Sequence, residues 1–324
     1  MEIKGGTWRM LFLLLLGQLV SFSLAICNFI TSVISNHGVD APLTQSFFSY
    51  MLLALVYGPI LLRRRQTLLI PWYWYLLLVL IDVAGNCLTI KAYQYSYITS
   101  ITLLSCCTIP WVMILTRFAL GARYSFWQFV GAGTSVAGLA VAIMSDSDSP
   151  DVQDVSKIPL LGDAIAIAGT LCFAFSNVGE EYCVKKKDRI EYLAMLGIFG
   201  MLVTGIQLTL FERKKIDAVN WSPTMIGLFA GFAAVFLVFR TTAPFVIKMS
   251  GATLFNLSLL TTDVWAVAVR IFFYHQQVNW IYYIAFSIVA IGLVIYSVNE
   301  SSSDDDIVAS TTEQATQYEQ LSRE

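Results

Sequence analysis

Only two histidines, His37 and His275, occur in 324 residues, and charged side chains make up 13% of the chain. A soluble domain carries about 25% charged residues, so roughly half the usual charge is missing. So little histidine nearly excludes zinc sites and His-based triads. Gly-x-Ser-x-Gly, His-Glu-x-x-His and Walker-type glycine loops are all absent, which disfavours hydrolase and ATP-driven chemistry. Cys27, Cys87, Cys106, Cys107, Cys172 and Cys183 form no Cys-x-x-Cys pair and fall in or beside apolar segments. They are expected to act as small packing residues. No cofactor or metal is expected, and basic residues spread over loops give no nucleic-acid face.

Apolar sequence is what the chain has instead: 57% of residues are hydrophobic. Ten stretches stand out, near 8–34, 43–62, 71–92, 98–119, 125–144, 158–182, 191–211, 223–247, 251–274 and 280–298. About 20 helical residues cross a hydrocarbon core about 30 Å thick, so each stretch can span a bilayer. The chain is therefore expected to be an all-α membrane protein with ten transmembrane helices and the lipid bilayer as its solvent. Lys4 and Arg9 ahead of Leu11–Leu16 resemble a secretory signal, but the apolar run continues to Ile34 and predicts a retained helix. Pro42, Pro71, Pro159 and Pro223 sit at predicted helix starts, where a missing N–H costs least. Pro110 and Pro244 fall inside spans four and eight and predict kinks.

With a cytosolic N-terminus, Arg63–Arg65, Arg117, Arg123, Lys185–Lys187, Arg189 and Lys248 share its side, against Lys157 and Arg213–Lys215 opposite. The excess places both termini in the cytosol. The chain divides into a first half (1–144), an acidic extracytosolic linker (145–157), a second half (158–298) and a cytosolic tail (299–324) expected to be disordered. Five spans per half force the second half to enter the membrane upside down, giving two inverted five-helix repeats. Echoes are faint: a polar start and a mid-span Trp in span four (Ser100, Trp111) and span nine (Thr253, Trp265). In the tail, Ser301–Ser303 could accept phosphate, and Tyr318-Glu319-Gln320-Leu321 matches a tyrosine-based sorting signal.

Charge inside a span is costly and marks a functional site by default. Asp263 lies mid-way along span nine, and its two readings are solute or proton contact, or a buried structural pair with Arg240. Arg270 sits near a span end and is expected to snorkel. Lys91, Asp82 and Asn86 repeat the polar pattern in span three. Gln18, Gln45, Asn177, Gln207 and Asn256 add amides to a wet core, although such groups can equally bond neighbouring helices. Trp72, Tyr73, Trp74, Trp221, Trp280, Tyr282 and Tyr283 at span ends predict interfacial belts. Gly131, Gly133, Ala137, Gly138 and Ala142 form a close-packing face on span five. It serves internal packing or, alternatively, a homodimer with Ala290 and Gly292 of span ten. Glu180 and Glu181, ahead of Lys185–Lys187, predict a solvated helix end.

Several segments resemble one family. Leu16-Gly17-Gln18, Pro42-Leu43-Thr44-Gln45-Ser46-Phe47, Lys91-Ala92-Tyr93-Gln94-Tyr95 and Ser176-Asn177-Val178-Gly179-Glu180-Glu181-Tyr182 are similar to F-type members of solute carrier family 35. So are Pro244-Phe245-Val246-Ile247-Lys248 and Asn256-Leu257-Ser258-Leu259-Leu260-Thr261-Thr262-Asp263. The resemblance implies the drug/metabolite transporter superfamily, with a central cavity between two inverted five-helix halves. It also implies a secondary carrier for a small polar organic solute, nucleoside- or nucleobase-like, with nucleotide sugars carried by related branches. Where similar animal members have acidic residues in spans three and four, this chain has Ala84 and Ser105. That puts a shared substrate or cation coupling in doubt.

The expectation is thus a non-enzymatic carrier working by alternating access on a small polar organic solute, nucleoside- or nucleobase-like or nucleotide-sugar-like. Asp263 takes coupling or solute contact, Lys91 and Arg240 bind acceptor groups, and Asn86, Gln18, Gln45 and Asn256 supply directional hydrogen bonds. The alternative is a non-transporting multi-pass scaffold or receptor that signals through its tail.

Overall fold

Prolines start several helices, as the sequence suggests. The computed structural model describes residues 6–39, 41–64, 70–96, 98–146, 159–186, 188–217, 219, 221–274, 280–281 and 283–299. Within them the chain is helical throughout: α1 (Gly6–Asn36), α2 (Pro42–Arg64), α3 (Trp72–Tyr95), α4 (Ile98–Ser105), α5 (Thr108–Leu120) and α6 (Phe126–Asp146) come first. Then follow α7 (Pro159–Lys186), α8 (Arg189–Gln207), a π-helical turn (Leu208–Glu212), α9 (Arg213–Asp217), α10 (Pro223–Leu259), α11 (Thr262–Tyr274) and α12 (Tyr283–Asn299). No strand occurs among the described residues. Residues 147–157 of the expected linker, the tail from 300 with its Tyr318 motif, His275, Tyr282 and the side chain of Arg270 lie outside the described residues.

Among the described residues, seven helices are long and apolar enough to cross a membrane: Trp8–Asn36, Pro42–Arg64, Trp72–Ala92, Ser100–Leu120, Leu160–Lys185, Arg189–Glu212 and Pro223–Leu259. Phe126–Ala142 and Tyr283–Asn299 are shorter apolar helices. The expected span four is interrupted at Cys106–Cys107. There the N–H groups of Cys106 and Cys107 bond three residues back, to Leu103 O and Leu104 O. Pro110, third in α5, has no N–H to offer Cys106 O, which takes Ile109 N–H instead at 3.1 Å. The expected span nine is interrupted in the same way. Leu260 N–H bonds Leu257 O at 3.2 Å and Thr261 N–H bonds Ser258 O at 3.0 Å. Beyond each break the ladder resumes under a tryptophan, Trp111 N–H to Cys107 O and Trp265 N–H to Thr261 O. The faint echo of Trp111 and Trp265 is therefore a pair of matching positions.

Pro244 lies within α10, yet the backbone leaves the helical region at Gly251, with φ 86 and ψ 168. A 37-residue helix would be about 55 Å long, far beyond a bilayer, so the chain must turn here. Glu181 of α7 supports the turn: its Oε2 accepts the Ala252 N–H at 2.9 Å, while Lys185 Nζ lies 2.7 Å from Oε1. Glu180 and Glu181 are 3% and 2% exposed, which corrects the solvated helix end expected from their sequence. Glu212 is likewise buried rather than in a loop, because the π turn carries it to the start of α2. There it accepts Leu43 N–H, Thr44 N–H and the Thr44 hydroxyl, each at 2.9 Å. Glu191 takes the Tyr75 hydroxyl at 2.8 Å beside the start of α3.

The most extensive packing joins α2 to α8, α3 to α7 and α1 to α10. A central cluster including Tyr50, Leu53, Tyr75, Leu193, Val246 and Phe255 ties these pairs together. The small-residue face of α6 is used inside the chain: a Cβ at Gly131 would meet backbone of Gly292 and Tyr296 in α12. Gly251→Ala should lower stability by about 1–3 kcal/mol, since its backbone region is essentially open to glycine alone. Its new Cβ would also lie 3.0 Å from Glu181 Oε1. Thermal unfolding of the purified protein in detergent reads the loss.

Candidate functional site

Both interrupted helices open onto one chamber of about 580 Å³. From α4 and α5 come Thr102, Ser105, Cys106, Thr108 and Ile109; from the α10–α11 break come Leu259, Leu260, Thr262 and Asp263. Tyr50, Asp82, Asn86, Phe173, Asn177, Gln207, Phe236, Phe239, Arg240, Phe255 and Asn256 complete most of the wall. A helix break places backbone and short side chains where a continuous helix would hide them, and in a bilayer it is tolerated where it lines a cavity.

Arg240 of α10 crosses to α3. Its Nη2 lies 3.3 Å from Tyr50 Oη and 3.5 Å from Asp82 Oδ2, while Ser176 Oγ donates to Asp82 Oδ1 at 3.4 Å. The guanidinium carbon sits 5.2, 5.6 and 5.9 Å from the ring centres of Phe236, Phe239 and Tyr50. Three aromatic faces and one carboxylate hold the cation, each ring contact contributing about 0.5–2 kcal/mol. Arg240 Nε is buried with no hydrogen-bond partner. The pairing of Arg240 with Asp263 considered from the sequence is not formed; Asp82 takes the cation. Behind this pair, Glu180 accepts the Tyr192 hydroxyl at 3.0 Å.

Of the seven expected site residues, Asp263, Asn86, Arg240 and Asn256 line the chamber. Asp263 is exposed to it. Asn86 Nδ2 donates to Asp82 O at 3.0 Å, and Asn256 Oδ1 accepts from Asn177 Nδ2 at 3.0 Å. Gln18, Gln45 and Lys91 are not in the lining. Gln18 Oε1 accepts the Trp265 indole N–H at 3.0 Å and so holds α1 to α11. Buried Gln45 accepts the Thr31 hydroxyl at 2.7 Å. Lys91 is exposed near the end of α3. Tyr50 is the wall residue that sequence reasoning passed over; nothing in its local pattern separates it from an interfacial tyrosine. Among the described residues, no group of three or more His, Cys, Asp or Glu could hold a metal ion.

A family model described as Solute carrier family 35 matches residues 6–298. The chain belongs to this family. Solute carrier family 35 member F2 of Mus musculus is 36% identical over 306 residues, covering 90% of this chain and 79% of that protein. The member F2 of Xenopus tropicalis is 33% identical over 299 residues, covering 89% of this chain and 76% of that protein. An uncharacterized solute carrier family 35 member of Schizosaccharomyces pombe is 32% identical over 299 residues, across 90% of this chain and 59% of its own. A solved crystal structure superposes with a TM-score of 0.70 at 15% identity, covering 91% of this chain and 98% of that one, which shows a shared fold.

As a solute carrier family 35 protein, the chain is a multi-pass membrane solute transporter. Of the two positions that the resemblance singles out, Ser105 lines the chamber and donates to Ile101 O at 2.9 Å, whereas Ala84 is exposed and absent from the wall.

The Arg240 and Asp82 side chains are 17% and 12% exposed. Removing one partner from such a pair leaves an uncompensated buried charge, at a cost of about 3–5 kcal/mol. Arg240→Gln should therefore destabilise the transporter strongly. The double variant Arg240→Gln with Asp82→Asn should recover most of that loss, read as the coupling term of a double-mutant cycle in thermal unfolding.

Proposed function

We propose that this transporter is a secondary carrier working by alternating access on a small polar organic solute that is nucleoside- or nucleobase-like and neutral or cationic. Ten crossings in two inverted five-helix halves, with both termini cytosolic, complete the reading. The observation that carries it is the chamber itself, bounded by two helix breaks of the same hydrogen-bonding pattern in spans four and nine. Paired interruptions in corresponding positions of two halves are where inverted-repeat carriers build their binding sites.

Among the described residues the lining contains two carboxylates, Asp82 and Asp263, and one guanidinium, that of Arg240. A diphosphate-bearing nucleotide sugar would enter without a surplus of cations to meet it, whereas a flat heterocycle finds Phe173, Phe236, Phe239 and Phe255. Asp263 and Asn86 are then the solute-facing groups, with Arg240 and Asn256 at the floor. Gln18 and Gln45 act through helix packing.

Alternating access is favoured by the asymmetry of the chamber. It extends to Pro42, Leu43, Ile90 and Gln207, near one set of helix ends. At the opposite ends, Glu181 clasps Ala252 and the Tyr124 and Thr253 hydroxyls meet at 2.8 Å. Opening one end while closing the other requires these contacts to exchange.

Uptake by the full-length protein in liposomes, offered nucleosides, nucleobases, amines and nucleotide sugars with and without a pH gradient, tests the proposal. Asp263→Asn, at an exposed position, should fold normally and lose at least about tenfold in uptake, the equivalent of about 1.4 kcal/mol. Unchanged uptake would remove Asp263 from the site. Truncation after Asn299 should leave uptake intact; a scaffold or receptor predicts the reverse ranking.

A further inference from the structure

A second cavity, of about 560 Å³, lies outside the central chamber, between α4–α5 and α6. Its wall is almost wholly apolar: Leu103, Met113, Ile114, Phe129 and Val136 are typical. Arg117, in the last turn of α5, and Tyr124, in the turn before α6, stand at one end. Arg123 in the same turn is exposed, as is Arg117. Neither guanidinium has a carboxylate partner among the described residues.

The cavity has the dimensions of one lipid tail. Cys106 to Arg117 rises about 16 Å at 1.5 Å per residue, against about 15 Å for half of the hydrocarbon core. One end therefore reaches mid-bilayer and the other lies at the headgroup level, where exposed Phe126 and Trp127 also sit. An apolar slot one leaflet deep, with the Arg117 guanidinium at its mouth and exposed Arg123 next to Tyr124 in the same turn, complements a molecule with an acyl chain and an anionic head.

We propose that this groove is a binding site for an anionic glycerophospholipid, whose acyl chain lies along α5 and α6 and whose phosphate meets Arg117 and Arg123. The site is independent of the solute chamber, although Cys106 and Ile109 border both cavities. Bound lipid also braces Tyr124, whose hydroxyl lies 2.8 Å from Thr253 Oγ1 just past the Gly251 turn. Lipid charge at this spot thereby supports the clasp between α10 and the α5–α6 turn.

The test is thermal unfolding of the full-length protein in detergent, titrated with phosphatidylglycerol, phosphatidylcholine or soluble glycerol phosphate. Phosphatidylglycerol should stabilise at lower concentration than phosphatidylcholine, and glycerol phosphate, lacking a tail, should do nothing. Surface-adjacent basic residues contribute about fivefold each to anionic lipid binding, so Arg117→Ala with Arg123→Ala should erase roughly 25-fold of preference. Gly133→Leu is the second variant: a Cβ there meets nothing within 4 Å, so the side chain fills the groove without a clash. It should block the tail of either lipid. A phosphatidylglycerol with a photoactivatable tail should label α5 and α6 without any substitution. Equal stabilisation by both lipids, stabilisation by glycerol phosphate, an unaltered preference in the double arginine variant, undiminished stabilisation by either lipid in Gly133→Leu, or labelling elsewhere overturns the proposal.

Discussion

An unpaired backbone group in hydrocarbon costs several kcal/mol, and this chain breaks its helices repeatedly inside a membrane. Its architecture depends on how those broken ends are satisfied. Carboxylates reach across from neighbouring helices to do so: Glu212 at the start of α2, Glu191 on the Ile70 N–H ahead of α3, Glu181 at the Gly251 turn. At the start of α4, Asp163 Oδ1 accepts the hydroxyls of Ser96 and Ser100 at 2.6 and 2.9 Å. Each bond joins elements far apart in sequence, so helix termination and tertiary assembly are one event. The positive end of a helix dipole makes an acid the natural partner in every case.

The same economy shapes the chamber. Where α4 gives way to α5 and α10 to α11, the three-residue bonds satisfy most of the loosened backbone and leave the remaining polar surface facing the cavity. Arg240 can sit in this setting because rings and Asp82 surround it. The pair is long at 3.5 Å and the buried Nε is unused, so the cation is confined without being saturated.

How much of this was legible in the sequence follows from the range of each signal. Apolar runs are local, and so the helices stood out, along with the helix-starting prolines and the interruption near Pro110. The break at Leu260–Thr261 has no glycine or proline to announce it, and Gly251 looks like any other glycine in a membrane helix. Glu180 and Glu181 were misplaced because the lysines beside them suggest water, whereas their partners Tyr192 and Ala252 arrive through folding. Gln18 and Gln45 could not be told from solute-binding amides, since an amide that bonds a neighbouring helix has the same local sequence. Arg240 found Asp82, 158 positions away, and no spacing rule predicts such a partner.

Cys106 and Ile109 form a shared wall between the apolar groove beside α6 and the central chamber. Such a wall behaves as a diaphragm. Any displacement of these two side chains enlarges one compartment at the expense of the other.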